Sequence, residues 1–394
     1  MTLHLCPSYT RKITSTTCLR AQGTDVTESF NSNRRSSGAQ SISTGVCRWT
    51  ARALSKIPDC RLITPTIECD AMKPFLLTLS NDAQLSGIYS VPGKTPTTPR
   101  YRPLIVALHG GTYSSQYFDA HPEHSVGTIS ETTGVPFVAI DRPGYRESSS
   151  LPTVPNGSTF AQEEGKYLHD YILPKIWAEY GLSTGASSMV VMGHSLGCSP
   201  CVVAAALHSQ EADPQYPWAG VILSGRGMVS AFPQSKGEEQ LARGRQLGYV
   251  EFPPGAKDFL MFGDPALGLA SAEIRRISEE ITHRAPFGEF EDRRLHWDHY
   301  WKGYAKQVKI PVVTAIGGRD SLFHASQQDI EEFARAFSNS PKVEAVLVAN
   351  APHCLELSYW GPAWLLRCFG FAIECATSAA LQPHGGALGP TESQ

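Results

Sequence analysis

One short stretch constrains this chain more than any other. Gly193-His194-Ser195-Leu196-Gly197 is entered from the apolar run SSMVVM and left through a helix-like stretch from Leu196 to Leu207. A serine on a tight strand-to-helix turn needs small neighbours, because bulky side chains at 193 and 197 would clash with the adjoining strand and helix. Such a turn lifts the hydroxyl above a sheet and sets it at the positive end of the following helix.

The rest of the chain supplies the sheet that this turn requires. FLLTLS and LSGIYSV flank Asn81-Asp82 as a hairpin, and PLIVALHGG, PFVAIDRPG, SSMVVMGHS, WAGVILSG, IPVVTAIGG and VEAVLVANAP are short apolar runs broken by Gly, Pro, Asn or Ser. Between them FAQEEGKYLHDYILPKIWAEYG and SQQDIEEFARAFS read as helices, the second with acids early and Arg335 late. Strands alternating with helices imply a mostly parallel central sheet with helices on both faces, an α/β class. The rhythm breaks between Arg226 and Gln307, where about 80 residues are too many for one crossover. The expected organisation is a core over 71–225 and 308–380, an inserted lid over 226–307, an extension over 1–70 and a flexible tail over 381–394.

Serine is a weak nucleophile unless a base takes its proton and a third group holds that base in one tautomer. Those partners belong after later strands, on the same rim of the sheet as Ser195. Asp320 follows IPVVTAIGGR and His353 follows VEAVLVANAP, which gives the chain order Ser, Asp, His. Among 13 histidines, His353 alone directly follows a strand-like run beyond both the serine and a candidate acid. An Asp after a Gly-Gly turn also suits a helix cap, so Asp320 carries two readings. Acyl transfer further needs donors aimed at a developing oxyanion, worth roughly 2.7–4 kcal/mol each. His109-Gly110-Gly111 ends the run PLIVAL, so the N–H of Gly111 or of Thr112 is expected to pair with that of Leu196.

In the lid, Trp297, Tyr300, Trp301 and Tyr304 recur at helical spacing. One reading packs this stripe onto the core. The other lets Trp297 or Trp301 roof an acyl pocket and bind substrate.

Composition closes off other classes. With 34 Lys+Arg against 37 Asp+Glu and 41% hydrophobic residues, the chain is neither a basic nucleic-acid module nor a disordered acidic tail. No Gly-rich phosphate loop with a following Lys occurs, so no nucleotide or nucleic-acid partner is expected. His121-x-x-His124 and His296-x-x-His299 lack a third ligand, and Cys198-x-x-Cys201 lies inside a helix, so neither metal nor redox chemistry is expected. No apolar run approaches the ~20 residues of a membrane span. Over residues 1–60, eight Lys/Arg stand against Asp25, Glu28 and Asp59, without the continuous apolar stretch of a secretory signal. The expected location is cytoplasmic, with mitochondrial import as the alternative.

HGG at 109–111, DRPGYRES at 141–148, GHSLG at 193–197, GGRD at 317–320 and APH at 351–353 together resemble serine α/β-hydrolases, over roughly Phe75 to Ala376. The resemblance implies the α/β-hydrolase fold with its first strand pair antiparallel, a helical lid after strand six, and Ser195, Asp320 and His353 as nucleophile, acid and base. It gives Asp141 no catalytic role, and Arg146 departs from the common D-x-x-G-x-G form of that loop. More loosely, the chain is similar to stand-alone hydrolases of fungal secondary-metabolite pathways. The expected activity is a cofactor-free serine hydrolase, of carboxylesterase, thioesterase or lactonase type, acting on an uncharged ester, thioester or lactone. Its partner would be a small acyl substrate, free or carrier-bound. Acyl transfer or macrolactone formation by the same triad is the alternative; a non-catalytic binding protein of this fold would often lack a triad member.

Overall fold

The apolar runs become strands whose burial follows their composition. β3 (Pro103–Leu108), β4 (Phe137–Ile140), β5 (Ser188–His194), β6 (Trp218–Ser224) and β9 (Val312–Gly317) are buried along their whole length, as strands covered on both faces must be. β10 (Val343–Val348) is half-buried throughout, as suits the sheet edge. The computed structural model describes residues 72–381 apart from Thr95, Thr97 and Pro254, so the expected extension over 1–70 and all of the expected tail over 381–394 but Leu381, which ends a helix, lie outside the described residues.

β1 (Lys73–Thr78) and β2 (Gln84–Ser90) form the opening antiparallel hairpin, with Asp82 at φ 64° in its turn. The eight-stranded sheet runs β1-β2-β4-β3-β5-β6-β9-β10. β2 meets β4 antiparallel, and every pairing from β4 to β10 is parallel. The carboxyl ends of β3, β5, β6 and β9 therefore share one rim. This is the α/β-hydrolase fold.

Helix Cys198–His208 leaves the serine turn and is buried along nearly its whole length, packed on helix Phe160–Tyr167. The long stretch expected to be one helix does not run regularly. It alternates α-helix with wide turns at Leu168–Ile172 and Trp177–Gly181, on either side of Pro174, whose missing N–H interrupts the ladder. Between β6 and β9 stand helices Gln234–Leu247, Ala256–Phe262, Ala272–Glu280, Phe287–Leu295 and Trp297–Gln307, with a small antiparallel pair of β7 (Tyr249–Val250) and β8 (Ala285–Pro286).

The aromatic stripe corrects one expectation. Neither Trp297 nor Trp301 lines the pocket that holds Ser195, though Trp297 borders a small cavity beside it; both are buried in the main core, stacked on each other at 5.9 Å, with Trp301 stacked on Phe333 at 4.8 Å. Their helix lies against Cys198–His208, so its apolar face is already occupied by the body of the fold.

Helix Gly361–Leu381 closes the described chain. Among the described residues it is the one helix long and apolar enough, by length and composition, to cross a membrane. A count of uninterrupted apolar residues passes over it because Arg367 and Glu374 break the run. Trp364, Leu365, Cys368, Phe369, Ala372 and Cys375 bury one face, which packs on β3, β5 and β6.

Candidate active site

The serine turn forms as its residue types dictate. A Cβ on Gly193 would stand 2.7 Å from the Gly197 carbonyl oxygen, and one on Gly197 would stand 2.7 Å from the His109 carbonyl oxygen, so both positions need glycine for room. Ser195 itself sits at φ 51°, in the left-handed region that costs a non-glycine residue of order 1–3 kcal/mol. The surrounding strand and helix hold it there, and its side chain stands at the start of the turn Ser195–Gly197 that leads into helix Cys198–His208.

The structure brings the three sequence-expected residues together. His353 Nε2 lies 2.9 Å from Ser195 Oγ, and His353 Nδ1 lies 2.7 Å from Asp320 Oδ2. The side chains of His353 and Asp320 are fully buried, which strengthens the pairing by excluding water. Asp320 faces the imidazole through Oδ2 and does not cap the next helix: Oδ1 accepts the Leu322 and Phe323 amides at 2.8 and 3.0 Å. It thus fixes its own loop rather than a helix end; helix Gln327–Arg335 is capped by Ser326 with Asp329.

The expected oxyanion donors separate. The Thr112 amide, with Thr112 at φ 62°, donates to Tyr145 Oη at 3.2 Å, which removes it as a donor to substrate. Gly111 keeps its place: it lines the same pocket as Ser195 and Leu196, and a Cβ there would stand 2.6 Å from Leu196 Cδ1. The Leu196 N–H lies in the first turn, where backbone donors have no intrahelical acceptor.

A buried polar cluster lies beneath the triad, and nothing in the sequence pattern pointed to its centre, Glu356. Glu356 accepts from Ser224 Oγ at 2.5 Å, Tyr117 Oη at 2.7 Å and Trp364 Nε1 at 3.0 Å, and lies 3.3 Å from His194 Nδ1. His194 stacks on Tyr117 and stands 5.2 Å from the His353 ring. Burial pushes the His194 pKa down to about 4, against the partial opposition of Glu356.

The pocket over Ser195 is partly open to solvent and lined mainly by apolar side chains, as small-molecule sites are. Its aromatic wall consists of Phe232, Phe252, Phe290 and Phe323, and neither Trp297 nor Trp301 lines it. Arg226, Arg293 and Arg294 interrupt the apolar lining. Arg226 was legible in principle, since it stands two residues after β6 on the same rim as Ser195. Residues between β6 and β9 also brace the site: the Met261 carbonyl accepts the Cys354 amide at 3.0 Å, and Lys257 Nζ donates to the Thr112 carbonyl at 3.0 Å. Burial lowers the Lys257 pKa to about 7. Cys198 Sγ donates to the Gly193 and Ser224 carbonyls, so the first cysteine of the C-x-x-C is a packing residue.

A family model described as the alpha/beta hydrolase family matches residues 105–363. No curated protein sequence matches the chain. Among solved structures the fold is similar to a soluble variant of monoglyceride lipase from Saccharomyces cerevisiae bound to a substrate analog, with TM-score 0.53 and 16% identity over 78% of this chain and 97% of that one. It is also similar to DcsB in complex with its substrate analogue, with TM-score 0.52 and 16% identity over 77% of this chain and 99% of that one. At such identities the likeness is one of fold.

Proposed function

This chain belongs to the alpha/beta hydrolase family, and from that premise we propose that it is a serine hydrolase cleaving an ester, thioester or lactone through an acyl-enzyme on Ser195. The observation that carries the reading is the unbroken line from Asp320 Oδ2 through the His353 ring to Ser195 Oγ. His353 Nε2 takes the Ser195 proton as Oγ attacks the substrate carbonyl carbon. Asp320 holds Nδ1–H and stabilises the imidazolium that forms. The carbonyl oxygen gains its negative charge facing the N–H groups of Leu196 and Gly111, whose stabilising effect operates only as that charge develops. Collapse of the tetrahedral intermediate breaks the bond to the leaving oxygen or sulfur, which takes its proton from His353. Water, deprotonated by His353, then attacks the acyl-enzyme, and the acid is released as Ser195 recovers its proton.

The strained backbone of Ser195 supports the same reading, because a left-handed serine persists only where its surroundings over-determine it. The test is a panel of ester, thioester and lactone substrates with product mass analysis. Hydrolysis should yield the free acid, dependent on Ser195 and His353; a cyclised or transferred product would put an alcohol in place of water in the second half. No turnover of any acyl substrate by folded protein would overturn the reading.

A further inference from the structure

Arg226 stands one residue beyond Gly225 at the end of β6 and lines the pocket that holds Ser195. It is 1% exposed, and none of its Nε, Nη1 and Nη2 atoms has a hydrogen-bond partner. Its guanidinium carbon lies 4.6 Å from the Trp297 ring and 5.8 Å from the Phe323 ring. Aromatic faces stabilise the charge, but they leave the five N–H donors of a guanidinium without acceptors.

The carboxylates around it are already engaged. Asp298 pairs with Arg293 at 3.6 Å, Asp292 accepts from Tyr300 Oη and the Ala161 amide, and Glu164 and Glu289 pair with Arg142. Burial lowers the Arg226 pKa to about 9, which still leaves it charged at neutral pH. A buried cation without a counter-ion is costly, and replacing it with an apolar residue of similar volume would remove that cost. A partner arriving with the ligand would also remove it.

We propose that the acyl pocket selects substrates bearing a carboxylate, which pairs with Arg226 while the scissile carbonyl meets Ser195. The inference rests on the hydrolase reading for its reaction and departs from the expectation of an uncharged substrate. One planar guanidinium matches a carboxylate bidentately. A phosphate dianion would call for a second free guanidinium of equal burial, and Arg293 already faces Asp298. Arg294, whose Nη2 also lacks a partner, adds positive field from the pocket wall.

The test compares 4-nitrophenyl hydrogen glutarate with its methyl ester, the same chain with the charge removed. The wild-type protein should favour the carboxylate substrate about 100-fold in kcat/KM. Arg226→Met should bring that preference to within about threefold of unity and hold or raise Tm, and Arg226→Lys should retain part of it. In parallel, calorimetry on the Ser195→Ala protein should show monomethyl glutarate binding that weakens at least tenfold when Arg226→Met is added. Equal use of the two esters by the wild-type protein, or an undiminished preference in Arg226→Met, would overturn the proposal while leaving the hydrolase reading standing. Tighter binding of methyl phosphate than of monomethyl glutarate would overturn the choice of carboxylate. If neither ester turns over, the wider acyl panel decides the hydrolase reading, and the calorimetry alone decides the anion site.

Discussion

At the scale of single residues, Asp320 shows how one side chain can carry two tasks that a substitution separates. Asp320→Asn keeps an oxygen for the Leu322 and Phe323 amides yet can present an amide to His353 Nδ1, favouring the wrong tautomer. We expect kcat to fall on the order of 10⁴-fold with Tm nearly unchanged, checked by steady-state kinetics beside calorimetric melting. His194 makes a second prediction. Its folded pKa of about 4 lies below the 6.5 of an unperturbed histidine, so between those values the unfolded chain binds a proton that the native state refuses. Stability present above pH 6.5 is therefore lost as pH falls toward 4, by on the order of 3 kcal/mol from this residue. Urea unfolding at pH 7 and pH 4.5 should show a smaller acid loss in His194→Gln than in the wild-type protein; equal losses would remove the attribution. The grouping of Ser195, Asp320 and His353 was legible in the sequence because each follows a strand, whereas Glu356, held by Ser224 and Tyr117 from distant segments and by nearby Trp364, was not.

At the scale of elements, the region between β6 and β9 divides by function of its aromatic residues. Helix Trp297–Gln307 belongs to the core, so Trp301→Ala should cost roughly 3–5 kcal/mol and leave acyl-chain preference unchanged. Phe290, on the pocket wall and partly exposed, should do the reverse when cut to Ala: a shift in kcat/KM between short and long acyl chains with a smaller loss of stability. Chemical denaturation and a chain-length series measured on both variants check the contrast. Spacing alone did not separate the two, because a helical stripe has the same period whether core or ligand lies beneath it. The loop after β4 is tied to helix Phe287–Leu295 by Arg142, whose Nη1 and Nη2 meet Glu164 at 2.9 Å and Glu289 at 2.6 Å. Burial alone would lower the Arg142 pKa, but the two carboxylates hold it above its ordinary value. Arg142→Met should cost about 3–5 kcal/mol in denaturant melts, since it leaves two buried acids facing each other.

At the scale of the whole molecule, the alternation of strands and helices set the fold class, and the order β1-β2-β4-β3-β5-β6-β9-β10 brings residues far apart in sequence to one rim. What the sequence did not disclose was the traffic between layers: which insert helix joins the core, and which arginine faces the pocket without an acid. Those depend on three-dimensional neighbours rather than on period or spacing. The central claim is that this rim acylates Ser195, and it is tested most directly by mass spectrometry of the protein after brief exposure to a 4-nitrophenyl ester or a fluorophosphonate. The account predicts one adduct per chain, on the peptide bearing Ser195, absent from Ser195→Ala and strongly slowed in His353→Ala, with Ser195→Ala turnover reduced on the order of 10⁶-fold. An adduct on another residue, or undiminished turnover in Ser195→Ala, would contradict it.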